Sequence, residues 1–274
     1  MAWNKIVTAD TVIQRLYEDK GLYQLTNRSY DSLVRPGATS VRRPMLASLA
    51  AVKNEGTTAG SASRKKTHTD TTMVETSLDV YTVPILSELA GEFESNDMLR
   101  REYEISMSMA LKRQFNVDVI TAAQATSNVT DTLAAELGWD DFVGIIQHFE
   151  DNEVPEDGRV IVVSSSLMQP FFNIDVIKTA MGFNKDLLQS GMSNQMLGAT
   201  WFVSGLVPTV GGKNNVTAWY SKGLAFILSK EGVIKETYDP GEVGVRKPGD
   251  VIDMCAHAAA ELDDDAFAYV VKEQ

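Results

Sequence analysis

Residues 53–70 read KNEGTTAGSASRKKTHTD, eighteen positions without one large apolar side chain. Such a stretch cannot build a core, because the entropy lost on ordering it has no hydrophobic return. The next residues have a different character. From Thr72 to Val83, the residues Val74, Thr76, Leu78, Val80 and Thr82 share one parity, and Glu75, Ser77, Asp79 and Tyr81 share the other. That alternation predicts a strand, which Pro84 should end. Upstream, Val41 to Val52 can supply its antiparallel partner, and Pro44 marks that partner as an edge. The unit reads as a long hairpin that projects from the body and carries a solvated basic tip, Arg64-Lys65-Lys66.

Charge divides along the same line. Residues 1–68 hold eleven Lys/Arg and five acids, a net +6, whereas the remaining residues hold fourteen bases and thirty-two acids, a net −18. A basic quarter on an acidic body suits a chain that pairs with copies of itself, arm to body. The overall −12 argues against general nucleic-acid affinity, since carboxylates repel phosphate. No apolar run approaches the ~20 residues that span a bilayer. The start, Met1-Ala2-Trp3-Asn4-Lys5, has no apolar signal core, so a cytoplasmic site of synthesis is expected. Cys255 is the single cysteine, which rules out an internal disulfide and a cysteine-based metal cluster.

Elsewhere the pattern mixes helix and strand. Asp10 can cap a short helix through about Glu18, with Val12, Ile13, Leu16 and Tyr17 on one face. Arg35-Pro36-Gly37 reads as a turn. After Asn96-Asp97, Leu99, Tyr103, Met107, Leu111, Phe115 and Val119 repeat every four residues. They predict a helix of ~25–30 residues whose stripe is core. Trp139 to Phe149 reads as a second helix, with Phe142, Ile145, Ile146 and Phe149 inward. A turn over 152–158 leads into a doubly buried strand, Arg159 to Val163. Met168 to Met181 reads as mostly helical with a possible break at Pro170, and 199–203 and 224–228 read as strands. Asp250 to Ala260 and Ala266 to Val271 read as strands joined by the acidic turn 261–265. The fold class is α+β, with strands and helices segregated.

A search for chemistry returns no assembled site. Gly211-Gly212-Lys213 is followed by Asn214, and Val207 stands where a P-loop needs its first glycine, so a hairpin turn is the better reading. There is no dinucleotide fingerprint, nucleophile elbow or zinc-protease motif. His148 with Glu150 and Asp151 closes a helix and reads as a solvated helix end. His257 and Cys255 read as strand residues, and Asp263-Asp264-Asp265 lacks the spacing of a calcium loop and reads as a charged turn. No catalytic, cofactor-binding or metal-ligating residue is assigned, and no enzyme is expected.

The order of these parts, a short amphipathic segment, a long basic hairpin, a long helix, a second helix, a mixed domain and returning strands, resembles the major capsid proteins of tailed bacteriophages, the HK97-like fold. Residues 74–123 are similar to that family's hairpin return arm and spine helix: a strand ending in VYTVP leads into a helix closing with ALKRQFNVDVITAA. WDDFVGIIQHFEDNEVPEDGRVIVVSSSLMQPFF at 139–172 is similar to its helix, N-x-V-P-x-x-G-R turn and apolar strand, and LGATWFVSGLVP at 197–208 to a later strand.

The resemblance implies an N-terminal arm at 1–38, an extended loop at 39–84, a peripheral domain at 85–157 plus 240–274, and an axial domain at 158–239. It implies a structural protein that assembles with itself, as pentamers and hexamers, into an icosahedral shell around double-stranded DNA, made in the host cytoplasm and located in the virion. A separate scaffolding protein and a portal are expected partners, and no cofactor or membrane is. The basic loop residues Arg42, Arg43, Lys53, Arg64, Lys65 and Lys66 are the expected intersubunit contacts. An encapsulin-type bacterial compartment shares the implied fold, and the long basic loop favours the virus over it. A soluble cytosolic enzyme with a disordered basic insertion would need a convergent polar site, which the sequence does not offer.

Overall fold

The computed structural model describes residues 21–35, 38–44, 73–86, 97–132, 136–177, 195–229, 233–239 and 249–273. In chain order the strands are β1 Ser40–Pro44, β2 Met73–Ser77, β3 Asp79–Leu86, β4 Val129–Asp131, β5 Arg159–Ser164, β6 Gln195–Met196, β7 Ala199–Ser204, β8 Asn215–Tyr220, β9 Leu224–Leu228, β10 Val233–Asp239, β11 Gly249–Leu262 and β12 Ala268–Lys272. Among the described residues the α-helices are α1 Asp97–Gln124, α2 Trp139–Asp151 and α3 Met168–Asn173, and residues 175–177 are helical again after Ile174. The fold is α+β, and the long helix has 28 residues, within the span its stripe predicts.

Among the described residues the strands form three sheets. β1 and β2 make a two-stranded ribbon; β10, β11 and β3 lie side by side with β9 also on β11; and six strands run in the order β4-β12-β8-β5-β7-β6. The core explains this layering. Met107, Leu111, Phe115, Val119, Ile120 and Ala123 of α1 pack against Phe226 and Leu228 of β9, Ala256 and Ala258 of β11, and Val160, Val162 and Trp219 of the six-stranded sheet. One helix thus covers parts of both large sheets. The other face of the six-stranded sheet packs Ile161, Val163, Trp201 and Ala218 under Phe142, Ile145 and Phe149 of α2. Successive β5 side chains serve opposite cores, which is why that strand is apolar throughout instead of alternating.

Polar groups finish the helix end. Gln124 Nε2 reaches Pro208 O, Asn215 Oδ1 and Thr217 Oγ1 at 3.0, 3.0 and 3.1 Å. β8 is entirely buried despite its Asn and Thr because this network satisfies them. The Gly211-Gly212 turn is as expected: both have positive φ, 61° and 80°, between the bridged pair Val210 and Lys213, the conformation of a two-residue hairpin turn.

Several expectations are corrected. The single strand over 72–83 is two strands, broken at Leu78, in two different sheets. The break swaps the inward parity. Before it Thr76 is buried; after it Tyr81 and Val83 pack on the core while Val80 stands 47% exposed. Pro84 does not end the strand, which runs to Leu86. Among the described residues β3 pairs only with β11, so a proline there removes no bond to a second neighbour. Pro170 does not interrupt α3, because it lies in the first turn where its missing N–H costs nothing; the break in this mostly helical stretch falls instead at Ile174, which is extended, and residues 175–177 are helical again. The strands expected over 250–260 and 266–271 are present as β11 and β12, and the connection between them, with the short 3-10 turn Asp265–Phe267, carries them into different sheets. β4, β6, β8 and β10 had no expectation. The helix expected at 10–18, the partner strand beyond Pro44 and the tip at 53–70 lie outside the described residues.

Leu111 is 2% exposed at the centre of the α1 stripe. Leu111→Asp buries a carboxylate among apolar side chains and should cost ~4 kcal/mol or more, removing the protein from the soluble fraction. Arg113→Asp, on the exposed side of the same helix, should leave solubility unchanged. Equal soluble yields for the two variants would refute the assignment of this stripe to the core.

Candidate functional site at the base of the basic hairpin

β1 and β2 pair antiparallel, Ser40 opposite Ser77 through Pro44 opposite Met73. The coreless segment of the sequence lies between these two paired strands in the chain. Alternation along β1 points Val41 and Arg43 inward and Arg42 and Pro44 outward. A guanidinium is therefore carried into the body at a position where a strand would ordinarily bury an apolar side chain.

Arg43 is 1% exposed and is fully engaged inside its own chain. Its Nε donates to Thr76 Oγ1 at 3.0 Å, its Nη2 contacts Glu261 Oε2 at 3.1 Å, and its Nη1 donates to Asp263 Oδ1. The Thr76 hydroxyl donates in turn to the Glu261 carboxylate. The Tyr30 ring lies 5.6 Å from the guanidinium carbon, and the Tyr30 hydroxyl donates to Pro44 O at 3.1 Å. Burial alone would lower the affinity of Arg43 for its proton. The hydrogen bonds and charges of Asp263 and Glu261 outweigh that and hold its pKa above the ordinary arginine value. One cation thus joins β1, β2, the end of β11 and the arm. It fixes how the ribbon leaves the body, since Leu78 belongs to neither adjoining strand.

Arg42 is the opposite case. It faces solvent and meets Glu75 at 3.5 Å across the ribbon. Glu75 is held below the usual carboxylate range by the Ser40 hydroxyl and then by Arg42. Of the six expected contact residues, the structure places Arg42 outward and Arg43 inward, and Lys53, Arg64, Lys65 and Lys66 lie outside the described residues. Sequence reasoning missed Thr76, Glu261, Asp263 and Tyr30 as partners. It read 261–265 as a charged turn, whereas the Asp263 side chain is fully buried on Arg43.

The arm residues 21–35 are also bound to the body. Leu22 and Tyr23 N–H groups donate to Asn116 Oδ1 at 2.8 and 3.4 Å, and Trp219 Nε1 donates to Leu25 O at 3.3 Å. Asn27 bridges to β9 through Asn27 N to Leu224 O and Phe226 N to Asn27 O, at 2.8 and 3.1 Å. Asp31 accepts the Leu228 N–H at 2.9 Å and pairs with Arg28 at 2.6 Å. The arm therefore covers the side of β9 that β11 leaves open.

The remaining candidates for chemistry stay apart. His148 stacks on Tyr269 with ring centroids 4.6 Å apart, and burial lowers its pKa. It is half-buried, so the expected solvated helix end is only partly exposed. Glu150 is taken by Arg159 at 2.7 Å. Cys255 is buried in β11. A cleft of about 490 Å³ between the end of α1 and the β11–β12 turn is lined by alanines, Leu262 and the carboxylates of Glu261 and Asp263 to Asp265. Beside those carboxylates its lining has no histidine, cysteine or hydroxyl group. Among the described residues no helix is long and apolar enough to cross a membrane.

No protein-family model matches the chain, and no curated protein matches it. Solved structures do. A chain of the satellite phage P4 procapsid structure, which includes the size determination (Sid) protein, superposes with a TM-score of 0.62 at 9% identity, covering 100% of this chain and 92% of that one. A Mycobacterium phage Che8 structure gives 0.59 at 14% identity, over 92% and 91% of the two chains. A virus-like particle from Pyrococcus furiosus gives 0.55 at 8% identity, over 98% and 100%.

The clamp generates a contrast between neighbouring arginines. Arg43→Met takes the cation from a buried carboxylate and should destabilise the subunit by about 3–5 kcal/mol, whereas Arg42→Met should change stability by less than about 1 kcal/mol. Urea midpoints at constant m-value measure both, and equal midpoints would remove Arg43 from this role.

Nearly the whole length of the chain aligns with these phage and particle structures, so the protein has the HK97-like fold.

Proposed function

We propose that this protein is the major capsid protein of a tailed bacteriophage, a structural subunit with no catalytic activity of its own. The observation that carries the reading is the end-to-end likeness of its fold to phage procapsid and capsid structures, together with a clamped ribbon whose two strands are joined in sequence by a coreless basic segment. In this reading the subunits form pentamers and hexamers that close an icosahedral shell around double-stranded DNA. A separate scaffolding protein and a portal take part in assembly, which occurs in the host cytoplasm, and the mature protein resides in the virion.

The domain division accords with the same reading: arm 1–38, extended loop 39–84, peripheral domain 85–157 with 240–274, and axial domain 158–239. In this division the C-terminal strands would tie the two domains together, since β12 pairs with β8 and β11 pairs with β9 and β10. Arg42, Lys53, Arg64, Lys65 and Lys66 lie against carboxylates of a neighbouring subunit, while Arg43 holds the hairpin base in its own subunit. Electrostatics supports the arrangement. A basic loop meets an acidic body, and an acidic shell lets DNA enter and leave without adhering to the wall.

Size-exclusion chromatography and negative-stain microscopy, with scaffold supplied where needed, test assembly. Shells or capsomers are expected, and a monodisperse monomer under every condition would overturn the reading. The contents of purified shells test the virus itself: packaged DNA is expected, and an enclosed enzyme would assign the chain to a bacterial compartment instead. A second measurement addresses the tip. Replacing Arg64, Lys65 and Lys66 together by Glu should lower shell yield most at low salt, where like charges are least screened, with the circular dichroism of the subunit unchanged. Exposed pairs contribute only ~0.2–1 kcal/mol each, but a shell repeats them at every boundary. Parental yield at low ionic strength would show that the tip makes no such contacts.

A further inference from the structure

His148 is set into the joint between α2 and the last strand. Its ring, half-buried in the final turn of α2, lies on Tyr269 of β12 with centroids 4.6 Å and planes 34° apart. Thr130 of β4 donates its hydroxyl to that of Tyr269 at 3.2 Å. The next residue, Phe149, is fully buried in the core between α2 and the six-stranded sheet. One side-chain amide sets the protonation state of the imidazole. Asn152 Nδ2 donates to His148 O at 2.8 Å, which fixes the orientation of the amide. That same nitrogen stands 3.5 Å from His148 Nδ1. An amide nitrogen offers only donors and must face an acceptor, which assigns Nδ1 as the bare nitrogen of a neutral ring and puts the proton on Nε2. Nε2 is buried and, among the described residues, has no hydrogen-bond partner of ordinary geometry; the Ala266 carbonyl is the backbone group that favours a proton on the ring.

We propose that His148 is a pH-operated latch: the neutral ring holds the last turn of α2 to Tyr269 and to the 3-10 turn before β12, and a proton on Nδ1 releases that turn. The added N–H points at the Asn152 amide nitrogen, a donor against a donor, and the cation sits in a half-buried contact. Asn152 can turn its oxygen to Nδ1 only by giving up its bond to His148 O. The charged groups on the elements packed here do not neutralise the change. On α2, Asp151 favours the cation, while Glu150 is paired with Arg159 at 2.7 Å. Around the 3-10 turn, the Asp265 carboxylate accepts the Ser127 hydroxyl at 2.6 Å, and Asp264 accepts the Ala266 N–H at 3.0 Å. On β12, Lys272 lies 3.4 Å from Asp131 of β4. Burial outweighs the Ala266 carbonyl and Asp151, so the folded ring binds a second proton less readily than a free histidine. The folded chain therefore binds fewer protons than the unfolded chain once pH falls to the ordinary value of 6.5. The contact has its full stability above that pH and weakens as pH drops through it. The latch belongs to the single chain and does not rest on the capsid reading.

Proton NMR of the unassembled full chain reads the ring directly. The His148 resonance, assigned by its contact with Tyr269, should titrate below 6.5, and titration at or above that value overturns the proposal. Asn152→Asp replaces the facing donor by an acceptor and should raise the His148 titration; an unchanged titration overturns the donor-against-donor account. Hydrogen exchange, corrected for intrinsic rates, reads the release. The amides of Asn152, Glu153 and Val154 close the turn on the carbonyls of His148, Glu150 and Phe149. Between about pH 7.5 and about pH 5 they should lose protection by about threefold or more in the parent chain. His148→Phe keeps a ring on Tyr269 but takes no proton, and it should show no such loss. Equal pH dependence in parent and variant overturns the proposal. So does a ring that titrates low while these parental amides keep their protection, a result that needs no variant to fold. Neither readout involves shell formation, so its failure is distinguishable from failure of the capsid reading.

Discussion

The fold turns on one aromatic ring. Phe115, fully buried at the centre of α1, meets Tyr81 of β3, Phe226 of β9 and Tyr23 of the arm at centroid distances of 5.1, 5.4 and 5.8 Å. The Tyr81 and Tyr23 contacts are edge-on, the arrangement the ring quadrupole favours. The strand returning from the hairpin, the four-stranded sheet and the N-terminal arm are separate in sequence, and each reaches the long helix through this ring. Burial of Tyr81 next to Asp118 raises its phenol pKa far above the ordinary value, so the hydroxyl stays neutral and the ring stays in the core.

The elements that were legible in the sequence are those in which local periodicity and tertiary burial agree. The stripe from Met107 to Val119 is continuous, α2 is amphipathic, and β5 is apolar on both faces. What was not legible depends on partners distant in sequence. β8 reads as mixed until Gln124 is placed against Asn215 and Thr217. The parity swap at Leu78 leaves no local trace, because the same alternation continues on either side while the buried face changes. Arg43 carried a usable signal. It shares its strand face with Val41, and a charge at a buried strand position requires paired carboxylates. Which carboxylates they are could not be read, since Asp263 lies 220 residues away.

The adjacent arginines also qualify the charge asymmetry. Net charge by segment treats Arg42 and Arg43 alike, yet one is solvated and the other is consumed inside the subunit. The acidic body is similarly uneven, because Asp141 and Asp263 are buried. The charges left exposed are therefore fewer than the formal count. The base of the ribbon is held by buried ionic hydrogen bonds, so its geometry is set in advance of any contact it makes.

Pro84 has a meaning beyond its own strand. β3 is the outer strand of its sheet, and among the described residues nothing pairs with its far side. An open edge is a template on which a second chain can add a strand, and repeated addition grows a fibre without limit. A proline on that edge has no N–H to offer an incoming strand. The arm does the equivalent on β9 by occupying its open side. Both devices oppose edge-to-edge accretion of copies of this chain. The difference between a chain that stays discrete and one that grows into a filament can thus rest on a few residues at strand edges.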